Sequence, residues 1–209
     1  MDTSPPASPP TSGKLDEFMR DLEGASALDP IAAVAAKLVA PFGRGRAREV
    51  LSGRALGHAL HPMLTDLPIG FWTSSFVLDI IGGKAGRAAS QRFIALGLAS
   101  VPVTAWAGWS DWLAATQPSA PSAESTDALS DVSAVRRVGI THASLNGAAA
   151  VAYAASYRAR RSDRYGRGVA YGMLGATFAT VAGHLGGHLV LRLGVGVGDP
   201  ALSPSVGAT

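Results

Sequence analysis

Four stretches of this chain run almost without charge, roughly 64–81, 93–109, 138–157 and 169–191. At 1.5 Å per residue each makes a helix of about 25 to 35 Å, close to the thickness of a bilayer's hydrocarbon. A buried helix of a soluble bundle keeps a polar outer face, whereas these segments are apolar nearly all round. The pattern predicts an all-α integral membrane protein, an antiparallel four-helix bundle with a partly disordered N-terminal tail.

Residues 1–13 are rich in Pro and Ser and predict disorder. Residues 14–23 place Leu15, Phe18, Met19 and Leu22 on one helical face. The apolar run 31–40 is too short to span and is expected at the membrane interface or against the bundle. Arg44, Arg46, Arg48 and Arg54 form a basic collar ahead of the first span. The chain thus divides into a tail with short helices (1–53), a four-span domain (54–198) and a C-terminal tail (199–209). Loops are expected at 82–92, 111–137 and 158–167, and no repeat of fixed period is visible. In the fourth span Gly168 with Gly172 and Gly183 with Gly187 have the four-residue spacing that admits a close neighbour.

Composition narrows the chemistry. Apolar residues make up 47% of the chain and charged ones 16%, which suits a membrane. There is no cysteine, so disulfides, thiolate nucleophiles, cysteine-held clusters and c-type haem are excluded. The net charge of +3 comes from arginines between the spans and fits anionic lipid rather than nucleic acid. The first ten residues lack the pattern of a cleaved signal, so the first span is expected to direct insertion. Short basic loops stay in the cytoplasm, which would put both termini outside the cytoplasmic face of a bacterial inner membrane; the seven Lys and Arg before the first span oppose that orientation.

Up-and-down threading brings the start of spans one and three together with the ends of two and four. His58, His61, Asp66, Asp111, His142, His184 and His188 then share one layer. His184 and His188 lie about 40° apart on one helix face, continued inward by Thr177 and Thr180. His142, Asn146, Ala149 and Tyr153 fall within about 60° of each other, and both stripes are expected to face inward. Imidazoles so placed bind haem iron axially, hold another transition metal together with Asp66, or relay protons. The candidate ligands are His142, His184 and His188, with His61, Asn146 and Asp66 as further cofactor-binding residues. Haem b or another transition metal is the cofactor this implies.

Asp79 belongs to the opposite surface and is expected to pair with Lys84 or cap the turn at Gly82 and Gly83. Trp72, Trp106, Trp109 and Trp112 read as an interfacial belt rather than a cofactor box. No hydrolase or transferase signature is present.

The run His58-Ala-Leu-His61-Pro-Met-Leu-Thr-Asp66-Leu-Pro-Ile-Gly70, with Trp72 and Asp79 after it, resembles the opening of the bacterial membrane-protein family called domain of unknown function 2231. The ending Gly186-Gly-His188-Leu-Val-Leu-Arg-Leu-Gly-Val-Gly-Val197 and the pair His142 and Asn146 are similar to that family too. Ala59 departs from it, standing where a proline is usual. The resemblance covers about residues 54 to 198 and implies a four-span bundle. Some members are fused to Rieske or cytochrome-type domains, which associates the family with electron transfer.

Two functions follow as expectations. One is a membrane component that binds haem or a redox metal and exchanges electrons with a protein partner or quinone. The other is a non-redox subunit whose polar layer fixes helix packing and presents a docking surface. The oligomeric state is open.

Overall fold

A computed structural model describes residues 13–43, 58–116 and 126–196. Helix α1 (Lys14–Gly24) starts where the Asp16 carboxylate accepts the Gly13 N–H at 3.3 Å. A 3₁₀ turn, Ser26–Leu28, leads to α2 (Asp29–Val39), which has Pro30 in its first turn, where no N–H is needed. Then come α3 (His61–Ile81), α4 (Gly83–Ala115), α5 (Thr126–Arg161) and α6 (Tyr165–Leu191), with no strand among the described residues. The collar arginines at 44–54, the Pro-rich stretch at 117–125 and both tails lie outside the described residues.

Loops expected at 82–92, 111–137 and 158–167 are mostly helix. Gly82 alone links α3 to α4, helped by Gly83 at φ +53°, and only residues 162–164 separate α5 from α6. Nothing obliges a helix to end at the bilayer surface, and Ala, Arg and Lys are good helix formers. Helices α3, α4 and α6 are long and apolar enough to cross a membrane. The fourth long helix, α5, is 36 residues and more polar, carrying Thr141, His142, Ser144 and Asn146 in its middle.

Helices α3 with α4, and α5 with α6, pack as antiparallel hairpins, and contacts of α4 with α5 and α3 with α6 close the ring. Helices α1 and α2 lie on α5, burying Met19, Ala32 and Val39 with Trp112, Val138 and Leu185. Arg137 ties this cap down. Its guanidinium grips both Asp29 oxygens at 2.7 Å and the Glu23 carbonyl at 2.7 Å. That hydrogen bonding holds the Asp29 carboxyl below the usual carboxylate range. A depressed folded pKa stabilises above the unfolded value, about 4, and the contribution is lost as pH falls through the folded one. Protection of the α1 and α2 amides, taken as exchange relative to the intrinsic rate at each pH, should therefore fall below about pH 4, and Arg137→Gln should remove that component.

The two hairpins are copies of one design. A shift of 81 residues carries His61 onto His142, Trp72 onto Tyr153, Ser75 onto Ser156 and Asp79 onto Arg160. Members of three of these pairs touch each other. The imidazole centres are 6.4 Å apart, the Trp72 and Tyr153 rings stack at 4.0 Å, and Arg160 pairs with Asp79 at 2.5 Å. In the second helix of each hairpin a shift of 78 carries Arg87 onto Tyr165, Gly97 onto Gly175, Thr104 onto Ala182 and Gly108 onto Gly186. Roles match as well: the Trp72 and Tyr153 rings lie on Gly97 and Gly175, and the His61 and His142 rings on Gly108 and Gly186. A pseudo-twofold axis therefore runs along the bundle between α3 and α5. The repeat escapes sequence reading because few identities survive, among them His61 with His142 and Ser75 with Ser156.

Candidate functional site

Along the axis, 18 residues separate the histidine layer from the Asp79 layer. At 1.5 Å per residue this is about 27 Å, nearly a bilayer's hydrocarbon thickness. The two polar layers thus mark the two ends of the spanning bundle, with the Trp72 and Tyr153 stack between them.

At one end His61 is the first residue of α3. Its Nδ1 meets the Thr104 carbonyl at 3.0 Å, so this nitrogen carries the proton and Nε2 keeps its lone pair. The sequence holds Thr104 in place for a local reason. Pro68 has no N–H to give the Leu64 carbonyl, and the Thr104 hydroxyl donates there instead, at 3.1 Å. Across the axis His142 Nδ1 meets the Ala182 carbonyl at 2.8 Å, fixing the same tautomer. Its Nε2 accepts from the Asn146 amide at 3.1 Å. No hydrogen bond to a described residue occupies Nε2 of His61. The two rings stand edge to face, their planes 85° apart.

Each imidazole fits because its neighbour is glycine. A Cβ at Gly108 would lie 2.7 Å from His61 Cε1, and one at Gly186 would lie 3.0 Å from His142 Cε1.

The other expected ligands lie elsewhere. His188 Nε2 faces Glu23 at 2.5 Å, so the N-terminal cap engages it. His184 and Asp66 are exposed on the outside of the bundle. His58 contacts the neighbouring Ala59 carbonyl at 3.2 Å. Among the described residues no cluster of three or more metal-ligating side chains forms. The structure therefore brings His142, with Asn146 bonded to it, opposite His61 and not opposite His184 and His188. The angular separation of about 40° placed His184 and His188 on one face but could not say which face turns inward.

At the other end Asp79 pairs with Arg160 rather than Lys84. The carboxylate also accepts from Ser90 at 2.6 Å and Tyr165 at 2.5 Å, and Arg160 Nε donates to Ser156 at 3.2 Å. Both charged side chains are almost fully buried. The Tyr165 ring is covered by the Arg87 and Arg160 guanidinium groups, 4.4 and 4.6 Å from its centre. Lys84, exposed at the first turn of α4, takes no part. Sequence reading missed Arg160 because it stands in a run of arginines that look like a membrane collar.

Two of the expected belt tryptophans are core residues. Trp112 is buried and donates to the Val135 carbonyl at 3.2 Å. Trp72 is buried in mid-bundle, and its indole Nε1, pressed against Gly97, has no hydrogen-bond partner among the described residues.

A family model described as "Predicted membrane protein (DUF2231)" matches residues 57–199 of the 209. No curated protein matches the chain, and no solved structure does.

Proposed function

This chain belongs to the DUF2231 family of predicted membrane proteins, and from that premise we propose that it binds a redox-active metal centre between His61 and His142. Haem b is the first candidate and another transition metal the second. The observation that carries the proposal is the pair itself. Two imidazoles from separate hairpins each spend Nδ1–H on a backbone carbonyl, the arrangement that orients a ligating histidine and keeps Nε2 basic.

The donor set supports haem in particular. Among the described residues only two metal-ligating side chains converge, so a metal held there would bring its remaining ligands, as a porphyrin does. The two ring centres lie 6.4 Å apart, and Nε2 of each imidazole would be the atom that holds the metal. When bound, the iron would supply one-electron chemistry. The chain's part is to fix the two rings through Thr104 and Ala182, and to hold them at one end of the bundle where a quinone or a protein partner can exchange electrons. The basic end, with Lys84, Arg87, Arg158, Arg161, Arg164 and Arg167, would face the cytoplasm of a bacterial inner membrane, leaving the histidine end on the other side.

A second reading is a non-redox subunit whose polar layers only fix helix packing. The Asn146 amide favours it, since it satisfies His142 Nε2 with no metal.

Optical spectra and metal analysis of protein purified from haem-replete cells separate the two. A Soret band is expected that disappears in His61→Ala and in His142→Ala and persists in His184→Ala. Protein that is colourless and metal-free, or a band that survives loss of both His61 and His142, would eliminate the redox reading.

A further inference from the structure

The twofold design of the core is broken on the outer surface. The shift of 81 pairs Asp66 with Gly147, and the shift of 78 pairs Trp106 with His184. Both ionisable members therefore fall on the same edge of the bundle, Asp66 on α3 and His184 on the adjoining α6. The equivalent edge, of α5 and α4, carries Gly147 and Trp106.

Asp66 and His184 are both exposed, and neither makes a hydrogen bond or ion pair with a described residue. Asp66 lies inside the spanning part and His184 at its rim. Asp66 lies five residues, about 7.5 Å along the helix, inward of His61. His184 lies between Ala182 and Gly186, the two residues that seat the His142 ring. Polar groups turned outward at this depth face hydrocarbon, which is costly unless another polypeptide covers them.

The rest of the edge is built for close approach. Thr177 and Thr180 share the outward face of α6, with hydroxyls bonded back to Met173 and Ala176. A Cβ at Gly70, Gly183 or Gly187 would meet nothing within 4 Å, so a second helix can come near the backbone there.

We infer that the α3/α6 edge is the contact face of a homodimer in which Asp66 of each copy meets His184 of the other. The occupant is a second copy because the edge is self-complementary. An acid on one helix and an imidazole on its neighbour meet twice across a twofold axis along the membrane normal, giving an isologous contact. A different partner would need its own base and acid in the same arrangement.

Mass measurement in lipid nanodiscs should show dimers of the wild-type chain, and the Asp66→Asn, His184→Gln double variant should raise the dissociation constant about tenfold or more. The chain has no cysteine, so single introduced thiols report proximity without background. Gly70→Cys protein mixed with Thr180→Cys protein should give inter-chain disulfides with Asp66 and His184 intact. Val151→Cys on α5, 71% exposed, should not. A wild-type chain that stays monomeric at every lipid dilution overturns the inference. So does a dimer cross-linked through position 151 and not through 70 with 180, or a different protein found seated against Asp66. The Soret test reads the histidine pair and is independent of these outcomes.

Discussion

Arg160→Met is expected to destabilise the bundle by about 3–5 kcal/mol, because it leaves the Asp79 carboxylate buried without its cation. The Arg160 and Asp79 side chains are 1% and 7% exposed, so water cannot take over the missing role. Ser90 and Tyr165 would still donate to the carboxylate, but neutral donors do not replace a guanidinium bound through both oxygens. Asp79→Leu alone should cost a similar amount by stranding the guanidinium. Replacing both, Asp79→Leu with Arg160→Met, should recover most of the loss, since the desolvation penalty of two ions goes with them. Reversible unfolding in mixed micelles reads all three. If Arg160→Met unfolds within ~0.5 kcal/mol of wild type, the size expected of a surface change, the pair is not buried in the membrane-embedded protein.

Gly97→Ala is expected to cost about 1–3 kcal/mol through overpacking. Its Cβ would fall on the Trp72 indole, closer to Nε1 and Cδ1 than real Cβ atoms come. The indole cannot back away, because its other face is stacked on Tyr153 at 4.0 Å with planes only 16° apart. Gly175→Ala, the equivalent change in the second hairpin, puts a Cβ 2.8 Å from Tyr153 Cδ2 and pushes the same stack from the opposite side. The two substitutions act on one shared contact, so the double variant should depart from additivity. Unfolding free energies of the two single variants and the double variant check this. A stable Gly97→Ala, or strict additivity, would show that the rings are not locked on the axis as described.

Much of the architecture was legible before any coordinates. The apolar runs give four long helices, three of them long and apolar enough to cross a membrane, and alternation of direction gathers the histidine-bearing ends on one side. The helix at 14–24 follows from Leu15, Phe18, Met19 and Leu22 on one face, and the apolar run at 31–40, too short to span, lies in a short helix packed against the bundle, one of its two expected places. Helix ends were less legible. The charged residues that read as loops, Lys84 to Arg92 and Asp131 to Arg137, continue helices beyond the apolar stretch at little cost.

The site was half legible. His142 and Asn146 share a stripe by spacing alone, but the choice of opposite partner was not written in any single helix. On sequence His184 has the first claim and His61 the second. Rotation of α6 about its own axis decides between them, and that rotation is set by Gly175 and Gly186 receiving the Tyr153 and His142 rings.

The amino-acid sequence by itself determined the class of molecule, a helical membrane protein with its imidazoles toward one end. Burial of an apolar segment depends on its own length and composition, which are local quantities. Only the tertiary structure decided that His61 faces His142, Trp72 faces Tyr153 and Asp79 faces Arg160. Those pairings arise from two hairpins packing about a common axis, a relation between residues 81 apart that close fit enforces and that no local pattern records.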